Sequence, residues 1–178
     1  MELAVVFVEI STHPERCEKA GRIVTQNLIL DALTLLAQTV KEHGGKTVKT
    51  TEDQLLCIFP NAWKSVQSAC QMQLAIFQDP KYARVDMALK IGSHFGEGTL
   101  SKDSISGEVL GVARKLRESA RTGQLLITQE IRKHIPFVFG LSLRKAGQLI
   151  LPDKLKQIVL FEALWNASES DNTILSAI

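Results

Sequence analysis

The sequence has few of the features that would place it in a specialised class. Its 178 residues carry a net charge of +2, with 21 Lys and Arg against 19 Asp and Glu. So even a balance gives no electrostatic basis for binding nucleic acid or a membrane surface. No apolar run approaches the roughly 20 residues that span a bilayer. The start, MELAVVFVEI, is apolar but lacks a basic region and a small-residue cleavage site. It therefore reads as a first strand and not as a signal peptide. The three cysteines, Cys17, Cys57 and Cys70, are scattered, odd in number and without metal-ligand spacing. They fit small apolar fillers in a reduced, cytoplasmic setting. There is no internal repeat and no low-complexity block. A more local absence marks residues 48–61, VKTTEDQLLCIFPN. Two strand-like runs are joined there by Glu52-Asp53, with no glycine at the tip. A type I turn requires none, so a hairpin is expected with two carboxylates at its end.

What is present is ordinary for a globular chain. Hydrophobic residues make up 45% and charged residues 22%, enough for one domain with a sizeable core. LAVVFVEIS is a continuous apolar run, the pattern of a strand buried on both faces. After a turn at Thr12-His13-Pro14, a long helix is expected to about His43, with Val24, Leu28, Leu35, Leu36 and Val40 on its apolar stripe. Gly44-Gly45 ends it. The hairpin 46–59 follows. Asn61 is placed to cap a second helix, with Ala62, Val66, Ala69, Cys70, Leu74 and Phe77 inward. Residues 85–93 alternate as a strand. FGEGTLSKDSISG is a polar connection or short strand. A third helix spans about 108–120, its stripe formed by Val109, Val112, Ala113, Leu116 and Ala120. GQLLIT is a strand, 129–135 a short helix, and 137–149 and 156–163 the last strands. This order predicts an α+β fold: a ferredoxin-like βααββαβ core, a mostly antiparallel sheet with helices packed on one face, extended by C-terminal strands. The domain is expected to cover 1–164, with 165–178 a tail or linker.

Four segments, in order, resemble motifs of the class III adenylate and guanylate cyclase catalytic domain. VVFVEIS resembles that family's phenylalanine-x-aspartate-isoleucine strand, and KTTEDQLLCIF its lysine-threonine-x-glycine-aspartate-glycine hairpin. LKIGSHFGEG resembles its arginine-x-glycine-isoleucine-histidine-x-glycine strand. SGEVLGVARKLRESARTGQLLIT resembles its signature helix and the strand after it. The resemblance covers about residues 3–164.

The resemblance explains the acidic tip. Family members hold two divalent cations on two aspartates, and these cations bridge the nucleotide triphosphate and activate the ribose 3′-hydroxyl. Hard cations require oxygen ligands. Glu9 and Asp53 stand at the two aspartate positions, with Ile10 completing the implied metal set for Mg²⁺ or Mn²⁺. Lys49 and Ser104 stand at the base-contacting positions. Lys90, Ser11 and Thr12 stand where the phosphates would be met. The helix positions of the family asparagine and arginine, four residues apart and hence on one face, are Gly111 and Lys115. A lysine there keeps the charge but loses the planar fork.

Five positions thus depart together from the family pattern: Glu9, Glu52, Gln54, Gly111 and Lys115. Two functions remain open. One is a cyclase homology domain with a degenerate centre, acting in cyclic-nucleotide signalling as a regulatory, dimerisation or nucleotide-binding module. The other is a slow or divergent metal-dependent cyclase acting on ATP or GTP. A homodimer, or a heterodimer with another cyclase chain, is expected, with a purine nucleoside triphosphate as ligand and no nucleic acid or membrane span. Read without the family, His94 is a strand residue with no acid–base role. Arg114, Arg117 and Arg121 form a solvated helix face, and Trp63 and Trp165 are packing aromatics.

Overall fold

The computed structural model describes residues 1–136 and 140–166. In chain order the elements are β1 (Glu2–Ser11), α1 (Pro14–Ala20), α2 (Arg22–Glu42), β2 (Lys46–Thr50), β3 (Gln54–Phe59), α3 (Ala62–Gln78), α4 (Pro80–Ala83), β4 (Ala88–Glu97), β5 (Thr99–Ser101), β6 (Ser104–Ser106), α5 (Glu108–Ser119), β7 (Leu125–Thr128), α6 (Gln129–Arg132), β8 (Ser142–Leu151) and β9 (Lys156–Leu164). Seven strands form one sheet in the order β2-β3-β1-β4-β7-β9-β8. Among the described residues only β4 and β7 run parallel; the other pairings are antiparallel. The α+β class and the mostly antiparallel sheet are as the sequence implies.

β1 reads as unbroken apolar sequence because both its faces are covered. Ala4, Val6, Val8 and Ile10 share a core with Leu33 and Leu36 of α2 and with Val66 and Met72 of α3. Leu3, Val5 and Phe7 point the other way and pack with Val109 and Ala113 of α5. The expectation of helices on one face therefore holds for α2 and α3, while α5 lies on the opposite side. Periodicity shows which stripe of a helix is apolar but not which face of the sheet receives it.

Other local differences have physical causes. The expected single helix after Pro14 is two, broken at Gly21, whose φ of +93° is left-handed backbone that glycine adopts freely. Phe77 is 64% exposed and not inward. It meets the Trp165 ring edge-on at 5.7 Å, and the Trp165 indole N–H donates to the Gly123 carbonyl at 2.9 Å. Asp79 caps a short helix, α4, and delays β4 to Ala88. FGEGTLSKDSISG ends β4 and then forms a small hairpin, β5–β6. Residues 137–139 of the expected strand 137–149, and most of the expected tail, lie outside the described residues. The Asn61 cap is present, accepting from the Lys64 N–H at 3.0 Å. α2 is long and apolar enough by composition to cross a membrane. Its Ala32, Leu33, Leu36 and Val40 are buried in the core, while Ile23 and Leu30 are exposed.

The contact of α5 with β4 is unusually close. A Cβ on Gly92 would stand 2.7 Å from the Ala113 carbonyl oxygen and 2.7 Å from the Leu116 Cβ, and closer still to the Arg117 backbone nitrogen. Two of these neighbours are helix backbone and cannot swing aside. We expect Gly92→Ala to destabilise the domain by about 1–3 kcal/mol, the usual cost of overpacking, as measured by urea denaturation. An unchanged midpoint would mean that α5 does not press on the strand here.

Candidate functional site

Glu9 lies near the end of β1, and its neighbours follow from register. Gln54 of β3 is its partner on one side and Lys90 of β4 on the other. Cross-strand partners point to the same face with Cβ atoms about 5 Å apart, so a cation flanks Glu9 within the sheet. A second comes from above. Arg117 of α5 donates from Nη1 to Glu9 Oε2, and the two side chains are only 11% and 25% exposed. The Arg117 guanidinium also lies 5.8 Å from the centre of the Phe7 ring, and Nη2 is 3.5 Å from Glu118 Oε1. Its Nε is buried with no hydrogen-bond partner among the described residues.

The expectation that Arg114, Arg117 and Arg121 form one solvated stripe is thus corrected at Arg117. The signal was present in the sequence. Arg117 is four residues after Ala113 and three before Ala120, which places it inside the apolar stripe. A charge in such a position needs a counter-ion, and so does Glu9 at the end of a buried strand. Each is the other's partner across 108 residues. Arg114 keeps an exposed position, with its guanidinium 5.5 Å from the centre of the same Phe7 ring.

The structure brings some of the other candidates to this place. The Ile10 N–H donates to the Asp53 carbonyl at 2.8 Å, so the two acid-bearing segments meet backbone to backbone. Glu52 and Asp53 are exposed at the hairpin tip. Lys49 is exposed on β2, opposite Leu56. Ser11 is half-buried at the end of β1, with its hydroxyl 3.4 Å from that of Thr122. Thr12 follows it, also half-buried. Ser104 sits apart in the β5–β6 hairpin, where its hydroxyl pairs with that of Ser101. Gly111 and Lys115 are not beside Glu9. They line a groove of 280 Å³ with Glu108, Val112, Leu151, Pro152 and Asp153. Among the described residues a Cβ on Gly111 would meet nothing within 4 Å, so no packing among them calls for a glycine there.

The fit of a divalent cation can be judged from these contacts. Glu9 already has its counter-charge, and Lys90 stands opposite it. A cation drawn to Glu9 would have to displace a guanidinium held under α5, and Mg²⁺ tolerates little departure from octahedral oxygen coordination. As arranged, the residues do not fit the metal that the family resemblance implies. Among the described residues no three His, Cys, Asp or Glu side chains cluster as a metal site.

His94 is 4% exposed and shares a 2.8 Å hydrogen bond between Nδ1 and the Thr128 hydroxyl. Burial pushes its pKa down to about 4, with Glu130 opposing and Lys156 reinforcing the shift. It is a neutral packed residue. Burial also raises the Cys57 thiol, and that of Cys70 to about 12, so neither is a thiolate near neutral pH.

No family model matches the chain. A curated relative, the serine/threonine-protein kinase pkn2 of Myxococcus xanthus, is 25% identical over 163 residues, covering 89% of this chain and 19% of that protein. The chain thus spans about a fifth of that relative's length. Solved structures resemble it over nearly all of its length. The adenylate/guanylate cyclase/hydrolase from Silicibacter pomeroyi superposes with a TM-score of 0.77 at 20% identity, covering 92% of this chain and 96% of that one. The adenylyl cyclase CyaB from P. aeruginosa gives 0.76 at 18%, covering 92% and 93%. The chain has the adenylate and guanylate cyclase catalytic-domain fold.

Two outcomes follow. The folded pKa of His94 lies below its ordinary value of 6.5, so between these pH values the unfolded chain binds the extra proton. The His94 contribution is therefore intact above pH ~6.5 and is lost as pH falls toward ~4, by roughly 3 kcal/mol in total at ~1.4 kcal/mol per unit. His94→Gln should flatten the stability–pH curve in that window, as followed by denaturation at a series of pH values; an unchanged slope would mean that His94 is not held neutral. At Gly111, open space and helical backbone predict that Gly111→Ala raises stability by about 0.5–1 kcal/mol. A loss in the isolated chain would reveal a contact at that face.

Proposed function

We propose that the chain is a class III nucleotide cyclase homology domain in cyclic-nucleotide signalling whose catalytic centre is degenerate, and that it acts as a regulatory, dimerisation or nucleotide-binding module. The fold it shares with the adenylate and guanylate cyclase structures supports the family. The observation that carries the degenerate reading is the Glu9–Arg117 ion pair. In a working centre, the acid at this position faces the metal that activates the attacking hydroxyl. Here it faces an arginine of its own chain. Gly111 and Lys115 add to this. Glycine supplies no side-chain donor, and lysine offers a point charge in place of a two-pronged contact with phosphate. Loss of one such donor alone lowers a rate by about 10²–10³.

The groove at Gly111 and Lys115 supports a binding role. It is open, sits on the exposed side of α5 and combines apolar residues with both charge signs (Lys115, Glu108 and Asp153), as a surface that meets a second cyclase-like chain would. Lys49 and Asp53 are exposed and accessible to a purine nucleotide or to a neighbouring subunit.

Cyclase assays with ATP and with GTP, each in Mg²⁺ and in Mn²⁺, test the reading. We expect cyclic nucleotide at or near background. Turnover at the level of an ordinary cyclase would replace this reading with that of a divergent active enzyme. Titration with a non-hydrolysable ATP or GTP analogue, followed by calorimetry, then separates a nucleotide binder from a scaffold. Sedimentation over a concentration series reports self-association.

A further inference from the structure

We infer that the Arg117 guanidinium takes the place of the divalent cation at Glu9, so that this chain's acidic pair binds neither Mg²⁺ nor Mn²⁺ and serves instead as a pin between β1 and α5. The inference rests on reading Glu9 as the metal position of a cyclase homology domain, and it goes further by saying what occupies that position. Three observations carry it. First, the Arg117 Nη1–H donates directly to Glu9 Oε2, in a setting where both side chains are largely covered. Second, the arginine cannot drift away. Its backbone nitrogen is pressed onto Gly92, its side chain lies beside the Phe7 ring, and its own Nε is already buried without an acceptor. Releasing it from Glu9 would leave a covered guanidinium with less of its charge answered, which is costly. Third, Lys90 faces Glu9 across the β1–β4 pair. A divalent ion would meet a Glu9 already flanked by two protein cations, where like-charge repulsion opposes it at short range.

The chemistry of the exchange is reciprocal. A guanidinium satisfies a carboxylate through directed N–H donors and needs no further oxygen ligands. A metal ion needs several oxygens, and the carboxylates beside Arg117, those of Glu9 and the exposed Glu118, are already answered by its guanidinium. The pin also makes the helix position independent of metal concentration, as a module that presents a constant surface requires.

The test uses the full chain and Mn²⁺ alone, without nucleotide. Calorimetric titration of the wild-type protein should show no saturable site. Arg117→Gln removes the charge while keeping a hydrogen-bonding side chain, and should acquire a Mn²⁺ site at least tenfold tighter than anything in the wild type. The double variant Arg117→Gln with Glu9→Gln should lose it again. Paramagnetic broadening by Mn²⁺ in the wild-type protein gives a reading that depends on no variant. Resonances of residues 8–11 and 51–54 should stay sharp. Wild-type binding that Glu9→Gln abolishes, or broadening centred on Glu9, overturns the inference. So does a folded Arg117→Gln protein that gains no Mn²⁺ site. These readouts involve no nucleotide, so they are distinct from failure of the degenerate-cyclase reading, which appears as cyclic product.

Discussion

The structure depends on the approach of α5 to β4 over Gly92. The helix backbone lies directly against the strand there, and side chains on both flanks lock it in place. Val109 and Ala113 pack toward β1, while Val112, Leu116 and Ala120 pack toward Leu126, Leu151 and Ile158. The helix can neither slide nor roll without lifting off two clusters at once. Its depth decides what Arg117 can reach. With the Arg117 backbone over β4, its side chain needs to cross only one inter-strand spacing, about 4.8 Å, to meet Glu9 on β1. An alanine at position 92 would push the helix outward and lengthen that reach.

The same geometry divides the family-like positions into two groups that do not share a site within one chain. Glu9, Lys90 and Arg117 are gathered on the sheet under α5, and the Asp53 backbone adjoins them through Ile10. Gly111 and Lys115 look away, over the groove by Leu151 and Pro152. A single copy of the domain therefore holds an internally neutralised acidic position and, separately, an open groove of mixed charge, with Lys115 beside Glu108 and Asp153. Chemistry that needs both would need a second subunit to bring them together. What one copy can do alone is present the groove.

Much of the fold was legible because the signals were local. The two-sided burial of β1 is written in LAVVFVEIS, the α3 cap in Asn61, and the α5 stripe in Val109, Val112, Ala113 and Leu116. Three features were not legible, for different reasons. The break at Gly21 depends on a backbone angle that an apolar stripe does not encode. The side of the sheet that α5 covers depends on connectivity and not on periodicity. The Glu9–Arg117 pair joins residues whose sequence neighbours explain neither. Its trace is two charges in buried positions, each lacking a partner nearby in the chain. The acidic tip is plain in the sequence itself, whereas the electrostatic setting of Glu9 depends on where α5 lies.

The strand order bears on how the chain emerges during synthesis. β1 is central in the sheet, yet its two neighbours are β3 and β4, and β4 ends at Glu97. At ribosomal rates of about 5–20 residues per second, some ten seconds pass, in order of magnitude, between completion of β1 and arrival of its second edge. Through that interval a ten-residue strand with a continuous apolar run from Leu3 to Val8 has unpaired backbone on at least one side, the condition under which strands find the wrong partner. α2 is made first and offers β1 an apolar surface before either neighbouring strand exists. Shielding the nascent strand is thus a second consequence of placing a long, oily helix between it and its partner strands.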